Sequence, residues 1–538
     1  MTKGHLSIDI ALQDLNRENL QEVIAKGIYI PDNDFPPRFL VNNEDFFIGG
    51  YFVSYHPRMK IEELVLLCKK GNWRRVAELN ADFIIVYFNY KSREIRILTD
   101  QSGKFPCYYR LSSQSIFVST SFFEVMKKMV SLTLDIEKTL EFIYRDTSVS
   151  TRTFIEGVSF LPPATLLEIK DGKITLQTQI DFEKFLDTPF ERFDSLQSFS
   201  DRFLLVLEKS VQDRLLFANE FNFGSDISSG FDSALVTYLL KKNSKRKFIS
   251  YCEVAKDSAS DTDPSIVSDF ARKHNLSVKF IEYDDFFPFS KKADLRLIEK
   301  GPSHIQKSQL DYYLKQVRKD NNLFHFTGEG GDEAYWSNND VLDLEIRFPK
   351  QLQYFQFNSL KKYGVDKILT KKGISFLLDK ERFRNKKFFP TLVSSSVAHL
   401  FMISFDLHWE NGVWPLTPFA DTRIIQLARG IPSKGIDKLV LKQKIWETRK
   451  DIFVEGIFRE KGGTEKQYGR FLLEKADFLL SLLNNSQLGI KGWVRSRDII
   501  NNVLDKKLDL YYEGEAIGYL TNLLEVEYFV QRNRIEVP

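Results

Sequence analysis

The fold is decided by the stretch Ser228-Ser229-Gly230-Phe231-Asp232-Ser233, which lies between two apolar runs of different character. The run before it, Phe221 to Ile227, predicts a short buried strand, and the run after it, Ala234 to Leu240, predicts a helix. A strand, a Ser/Gly loop and a helix start together favour phosphate binding, because glycine lets the backbone approach closely and the free N–H groups and the helix dipole attract negative charge. The stretch is therefore predicted to hold phosphate groups.

A second loop of the same kind, Gly328-Glu329-Gly330-Gly331-Asp332-Glu333, follows another strand-like run, Leu323 to Thr327. Each loop carries a carboxylate, Asp232 in the first and Asp332 in the second. Carboxylates beside phosphates require a divalent cation between them, and Mg²⁺ takes one or two carboxylates plus phosphate oxygens. The two loops thus predict a site for Mg²⁺ and a nucleoside triphosphate such as ATP. The sequence G-x-x-x-x-G-K-S/T occurs nowhere in the chain, which excludes a P-loop kinase or GTPase.

Strands and helices alternate around the two loops, and this order is typical of a parallel sheet that binds ligands at the carboxyl ends of its strands. Between about Phe46 and Lys170 the sequence is rich in strands and predicts two stacked sheets flanked by helices. After Ser337 the pattern is mainly helical. We therefore expect an α/β protein with two domains, residues 1–192 and 193–538. The predicted elements of the second domain are strands at Phe221–Ile227, Phe248–Val254, Val278–Tyr283 and Leu323–Thr327, and helices at Ser198–Leu216, Ser233–Lys242 and Pro264–His274.

Composition limits the function classes. The 538 residues are too many for one core, and 43% hydrophobic residues supply ample apolar surface for two or three. The net charge is only +3 with both signs interspersed, so we expect neither a nucleic-acid partner nor a membrane surface. Three cysteines cannot build a disulfide framework. The chain shows no apolar signal core at its start and no run of 18 apolar residues, so we expect a cytoplasmic protein.

With both loops in view, nearly the whole chain resembles the asparagine synthetase family. The first loop is similar to the S-G-G-x-D-S pyrophosphate loop of enzymes that split ATP between its α- and β-phosphates, and the second to the family's G-E-G-x-D-E loop. The resemblance implies an N-terminal glutaminase-like (Ntn) domain of stacked sheets and a C-terminal ATP-pyrophosphatase domain of the adenine nucleotide α-hydrolase type. Further similar segments are Asp100 to Tyr109 (D-R-x-G-x-x-P-L-Y-Y), Pro415 to Asp421 (R-x-P-F-L-D), Lys438 to Lys442 (K-x-x-L-R) and Arg459 to Lys461 (R-x-K).

The resemblance also implies roles for individual residues. A carboxylate would attack the α-phosphate of ATP to give an acyl-adenylate and pyrophosphate, and an amine would then attack the acyl group. Asp232 and Asp332 would bind Mg²⁺, Lys461 would neutralise the charge that develops during adenylation, and Glu329 would act as base or orienter for the amine. The ATP and pyrophosphate site would be formed by Ser228, Ser229, Gly230, Asp232, Ser233 and Gly328.

Three departures from the family pattern bear on the reaction. Glutamine-dependent members begin with a cysteine nucleophile, whereas Thr2 stands here and no cysteine precedes Cys68. Ser229 replaces a glycine of the pyrophosphate loop, and Asp226 places an extra carboxylate at the end of the preceding strand. The glutaminase domain is therefore expected to be a scaffold without its chemistry, as in the β-lactam synthetases and the lasso peptide cyclases that this chain resembles.

The expected function is an ATP-dependent amide-bond-forming ligase, with peptide macrocyclisation of lasso type as the first choice. Its partners would be a small-molecule or peptide carboxylate and an amine donor, with a precursor-peptide peptidase or a carrier protein as candidate protein partners. The alternatives are an ammonia- or glutamine-dependent asparagine synthetase acting on aspartate, a sulfur-transfer enzyme that shares the pyrophosphate loop, and a non-catalytic protein that binds nucleotide or peptide.

Overall fold

The computed structural model describes residues 5–11, 20–31, 38–56, 58–112, 114–144, 149–170, 173–181, 184, 191–255, 262–286, 289–290, 292–303, 307–332, 364–379, 389, 391–393, 395–431, 438–457, 475–505 and 516–538. Thr2, Lys461 and the last residue of the second loop, Glu333, lie outside these ranges. None of the helices in these ranges is long and apolar enough to cross a membrane.

The N-terminal part contains two antiparallel sheets, as the strand-rich pattern predicts. The central strands of the larger sheet are buried on both faces, because other parts of the chain cover both sides. The larger sheet has the order β11-β10-β6-β5-β4-β3 and the smaller one β2-β1-β8-β7-β9. The strands are β1 (Ser7–Ala11), β2 (Ile28–Tyr29), β3 (Arg38–Asn42), β4 (Phe46–His56), β5 (Asn80–Asn89), β6 (Glu94–Thr99), β7 (Tyr108–Leu111), β8 (Ser115–Ser119), β9 (Ser159–Phe160), β10 (Thr165–Lys170) and β11 (Lys173–Thr178).

Within the described residues, five helices accompany these sheets. Their buried faces follow the apolar spacing of the sequence, as in the second helix, where Leu64 and Cys68 point inward at i and i+4. The fifth helix begins at Asp135, whose side chain accepts a hydrogen bond from the backbone N–H of Lys138. The helices are α1 (Leu20–Gly27), α2 (Ile61–Lys69), α3 (Trp73–Ala77), α4 (Phe122–Met126) and α5 (Ile136–Ile143).

The second part is built on a parallel sheet of five strands in the order β14-β13-β12-β15-β16. From β12 the chain first adds strands on one side and then, with β15, on the other, so a topological switch point lies between β12 and β15. Ligands of open α/β sheets bind in the crevice at such a point, outside the carboxyl ends of the strands. The strands are β12 (Phe223–Asp226), β13 (Ile249–Val254), β14 (Ser277–Glu282), β15 (Phe324–Phe326) and β16 (Trp414–Leu416).

Helices precede, separate and follow these strands, and the last of them ends at Asn533. The prediction for Pro264–His274 is confirmed residue for residue, because Asp263 caps the helix and the helix C-cap is Asn275, in the left-handed region. The helices are α6 (Leu196–Ala218), α7 (Phe231–Asn243), α8 (Pro264–His274), α9 (Arg296–Glu299), α10 (Lys307–Lys319), α11 (Lys371–Leu377), α12 (Ser395–Asn411), α13 (Thr422–Ala428), α14 (Lys438–Thr448), α15 (Ala476–Asn484), α16 (Gln487–Ile490), α17 (Ser496–Leu504) and α18 (Ala516–Asn533).

The predicted α/β fold class is confirmed, with one difference. Strand β16 lies in the segment that the sequence predicts to be mainly helical. Its pattern is concealed by Pro415, which is tolerated because β16 lies at the edge of the sheet that the described residues form, beside β15. One continuous apolar cluster contains residues of the N-terminal sheets, of α6 and α7 and of the parallel sheet.

Candidate functional site

The first loop leaves the carboxyl end of β12 and begins α7, as predicted. Gly230 is the N-cap of this helix, and Asp232 lies in its first turn. The Ser233 hydroxyl group lies 2.8 Å from the hydroxyl of Ser228 and accepts a hydrogen bond from the Ser228 backbone N–H at 3.1 Å. The loop is thereby folded onto the start of the helix, where free N–H groups and the helix dipole favour a phosphate group.

Ser229, which stands where the family pattern has glycine, is hydrogen-bonded to the start of α8. Its hydroxyl oxygen accepts a hydrogen bond of 3.1 Å from the backbone N–H of Asp263, the residue that caps α8. The residue is buried. The departure at this position therefore serves to hold α8 against the loop.

The second loop leaves the carboxyl end of β15 and packs directly against the first. A Cβ atom at Gly328 would lie 2.7 Å from the backbone nitrogen of Ser233, and one at Gly331 would lie 2.3 Å from Cγ of Asp232. Between them, Gly330 has a φ of +83°, which favours glycine. Gly328 and Gly331 are therefore required by the close approach of the two loops, and Gly330 by its backbone conformation.

Lys442 lies between the two predicted metal ligands. Its Nζ atom is 2.8 Å from Oδ2 of Asp232 and 2.5 Å from Oδ1 of Asp332. The sequence analysis placed Lys442 at the end of a segment that resembles K-x-x-L-R but predicted no role for it. The basic residue at this position was the available signal. It did not identify the contact, because 210 residues separate Lys442 from Asp232.

This arrangement fits the predicted cation and nucleotide. Two carboxylates that share one ammonium group are close enough to share one metal ion, and Mg²⁺ is commonly bound by one or two carboxylates with phosphate oxygens. Within the described ranges, no group of three or more His, Cys, Asp or Glu side chains could hold a metal by itself. A site of two carboxylates completed by the phosphates of ATP is consistent with that finding.

Asp226, the other departure from the family pattern, is held by two buried side chains. Its Oδ1 atom accepts a hydrogen bond from the Tyr313 hydroxyl and lies 2.5 Å from Nε2 of His325, while Tyr313 and His325 are 3.0 Å apart. Burial, followed by the charge of Asp226, raises the pKa of Tyr313 well above its usual value, so this hydroxyl remains a donor. His325 is 1% exposed and is therefore a core residue.

Two further carboxylates lie near this crevice. Glu253 near the end of β13 accepts a hydrogen bond of 3.0 Å from Gln309. Burial raises the pKa of Glu253 to about 7 against the opposing effect of Gln309, and the neighbouring charge of Asp226 raises it further. Glu329, the predicted base, accepts a hydrogen bond of 3.4 Å from the Thr327 hydroxyl. The predicted catalytic residue Lys461 lies outside the described residues.

The three cysteines are all buried. Burial raises the pKa of Cys68 and Cys107 well above the usual thiol value and that of Cys252 to about 12. A thiol nucleophile requires a lowered pKa and access to substrate. None of these cysteines meets either requirement.

Two family models match different stretches of the chain. Residues 61–180 match the family model of a glutamine amidotransferase domain, and residues 202–398 match that of asparagine synthase. No curated protein matches the chain. The asparagine synthase match supports an ATP-dependent, adenylating enzyme.

Three of the solved structures that match the chain do so at low similarity. The U34-tRNA thiolase NcsA from Methanococcus maripaludis is 12% identical over 57% of this chain and 80% of its own, with a TM-score of 0.23. The allosteric regulatory enzyme of purine biosynthesis is 10% identical over 53% of this chain and 77% of its own (TM-score 0.21). The glutamine phosphoribosylpyrophosphate amidotransferase from B. subtilis, complexed with ADP and GMP, is 10% identical over 61% and 76% (TM-score 0.20). TM-scores this low carry no argument about function. The two domain matches, with the two loops at the switch point of the sheet, show that the chain belongs to the asparagine synthetase family.

Proposed function

We propose that the protein is an ATP-dependent ligase that adenylates a carboxylate, releases pyrophosphate and joins the acyl group to an amine, and that its natural reaction is macrocyclisation of a peptide of lasso type. One observation carries the ligase reaction. The carboxylates of Asp232 and Asp332, on loops 100 residues apart in sequence, meet beside a phosphate cradle at the switch point of the sheet.

In this proposal the first loop holds the pyrophosphate portion of ATP. Its backbone N–H groups and the hydroxyls of Ser228 and Ser233 are donors already in place before the reaction, so little reorganisation is needed as charge develops on the leaving group. Mg²⁺, when bound by Asp232 and Asp332, would screen the triphosphate and stabilise the leaving pyrophosphate. Lys461 is proposed to neutralise charge on the reacting phosphate, and Glu329 to receive or orient the proton of the amine.

The amine is proposed to come from the substrate and not from glutamine. The raised pKa values and burial of the three cysteines support this view. Aromatic side chains also fill the interface between the two parts of the chain, where Phe105 and Trp414 have ring centroids 4.9 Å apart. A cavity beside them has a volume of about 10 Å³, roughly the room that one water molecule needs. An ammonia path past Phe105 and Trp414 would require rearrangement of these rings.

One observation favours a second candidate, an asparagine synthetase that converts aspartate. Residues 61–180 match the glutamine amidotransferase domain with which such enzymes supply ammonia. If the amine is free ammonia, the N-terminal domain is a retained part of that machinery. The two candidates share the adenylation step and differ in the acid and the amine.

Release of pyrophosphate and AMP from ATP and Mg²⁺ would test the proposal. Wild-type protein receives either aspartate with ammonia or a precursor peptide, and Asp232→Ala and Asp201→Ala serve as the site variant and its exposed control. Turnover with the peptide alone, abolished by Asp232→Ala only, is the expected result. Turnover with aspartate and ammonia would replace the macrocyclase by asparagine synthetase. Equal turnover in Asp232→Ala and wild type would contradict the assignment of the site.

A further inference from the structure

Lys442 approaches the crevice from a helix that belongs to neither loop. It lies on α14, whose neighbouring residues Leu441 and Ile445 are completely buried in the apolar core that also contains Phe231. This packing fixes the start of the lysine side chain, and Nζ lies 6.0 Å from the centroid of the Phe231 ring. Lys442 is thus anchored at both ends, by the core and by the two carboxylates.

A buried ammonium group is stable only where carboxylates or similar groups compensate for lost hydration. The side chain of Lys442 is 7% exposed, whereas those of Asp232 and Asp332 are 19% and 48% exposed. The lysine therefore depends on the carboxylates more than they depend on it. Solvent and ligands reach the pair from the side of Asp332.

The ammonium group occupies the position that a shared metal ion needs. With Nζ at 2.8 and 2.5 Å from the two carboxylates, a divalent cation bridging the same oxygens would lie almost in contact with a positive charge. Mg²⁺ also gives up its water reluctantly and demands near-octahedral oxygen ligands. A free metal ion must therefore displace the ammonium group of Lys442 from both carboxylates.

A triphosphate removes that obstacle, because it brings several negative charges to the first loop, next to Lys442. The ammonium group can then move to a phosphate oxygen while the metal takes the carboxylates. We propose that Lys442 is a nucleotide-binding residue that keeps divalent cations out of the Asp232–Asp332 pair until the triphosphate arrives. This inference rests on the proposed binding of ATP, and it assigns an order in which the metal enters with the nucleotide.

Titration with Mn²⁺ in place of Mg²⁺ tests this order, with free Mn²⁺ measured by electron paramagnetic resonance. In the absence of nucleotide, Lys442→Met should bind Mn²⁺ about 10- to 100-fold more tightly than wild type, because the site changes from a net charge of −1 to −2. Lys442→Arg keeps the charge and should behave as wild type. Lys444→Met removes a lysine from another face of the same helix and should change nothing. Adding Asp332→Asn to Lys442→Met should abolish the gain.

A second experiment uses the wild-type protein alone. A non-hydrolysable ATP analogue should raise its affinity for Mn²⁺, whereas inorganic phosphate should not. Equal Mn²⁺ affinity of wild type and Lys442→Met without nucleotide would overturn the proposal, as would wild-type binding that the analogue leaves unchanged. These results are independent of the acyl substrate, so failure of the pyrophosphate assay and failure of this inference can be told apart.

Discussion

Two lysine–aspartate pairs in this molecule have similar geometry and opposite surroundings. Lys104 Nζ lies 2.7 Å from Asp82 in the N-terminal part, and Lys442 lies 2.5 Å from Asp332 at the crevice. In the first pair both side chains are sealed, at 3% and 5% exposed, and the Tyr55 hydroxyl also donates to the carboxylate. In the second pair the carboxylate is 48% exposed. A pair that is sealed from solvent can only stabilise the fold. In a pair whose carboxylate is half exposed, a ligand can displace the lysine ammonium group.

The largest expected effect is on the open pair. Replacing Asp232 by Asn removes one of two carboxylates that share a cation, and pyrophosphate formation should fall by about 10²- to 10³-fold. The melting temperature should fall by less than in a variant that breaks a sealed pair, because Asp332 still pairs with Lys442. The matched variant Asp201→Asn on the exposed face of α6 should retain full activity. An active Asp232→Asn enzyme would remove the distinction between the two pairs.

Breaking the sealed pair of Lys104 and Asp82 should lower the stability of the protein instead. Lys104→Met leaves Asp82 buried without its ammonium partner, and breaking a buried pair in this way costs about 3–5 kcal/mol in the free energy of unfolding. The exposed pair of Lys91 and Asp45 offers a control, because Lys91→Met should cost at most about 1 kcal/mol. Urea unfolding measures both variants. A cost for Lys104→Met no larger than that of the control would show that the pair is not truly sealed.

The carboxyl group of Glu253 differs from both pairs, because it makes the stability of the protein depend on pH. Because its pKa is raised to about 7 in the fold from an ordinary value of 4.5 in the unfolded chain, the folded protein binds the proton more tightly between these values. Stability from this group is therefore present at pH 4.5 and lost as the pH rises to 7. Glu253→Gln should lack that loss and be more stable than wild type at pH 8 by about 1–2 kcal/mol, allowing for partial exposure.

That prediction is checked by unfolding wild type and Glu253→Gln at pH 5 and pH 8. The two proteins should differ less at pH 5, where the Glu253 carboxyl is protonated. Equal differences at both values would contradict the raised pKa. Asp477→Asn, an exposed carboxyl at the start of α15, serves as the control for general charge effects.

The smallest expected effect concerns Ser229. Ser229→Ala removes the acceptor of the Asp263 N–H group, which should cost about 1 kcal/mol of stability and loosen the start of α8. The KM for ATP should change by less than about twofold, because the hydroxyl is hydrogen-bonded to the start of α8. A large rise in KM would place this hydroxyl on the pyrophosphate after all.

Much of the synthetase part follows from local sequence. The strand, loop and helix around Asp232 are predictable because glycine, serine and an apolar run each favour one local conformation, and α8 is bounded by its own capping residues. Strand β16 was not predictable, because Pro415 opposes strand formation and only the edge position permits it. Lys442 was missed as a site residue for a related reason, since its role depends on two loops that are distant in sequence.

The sequence by itself determined that two carboxylate-bearing loops follow two strands, because residue type and spacing control backbone conformation over a few residues. It also determined the family, through motifs that each occupy a short stretch. Only the tertiary structure decided that Gly328 and Gly331 let the loops touch, that Lys442 lies between their carboxylates and that Lys104 and Asp82 are sealed from water. These properties depend on distance and exposure, which chain folding sets between residues that no local pattern connects.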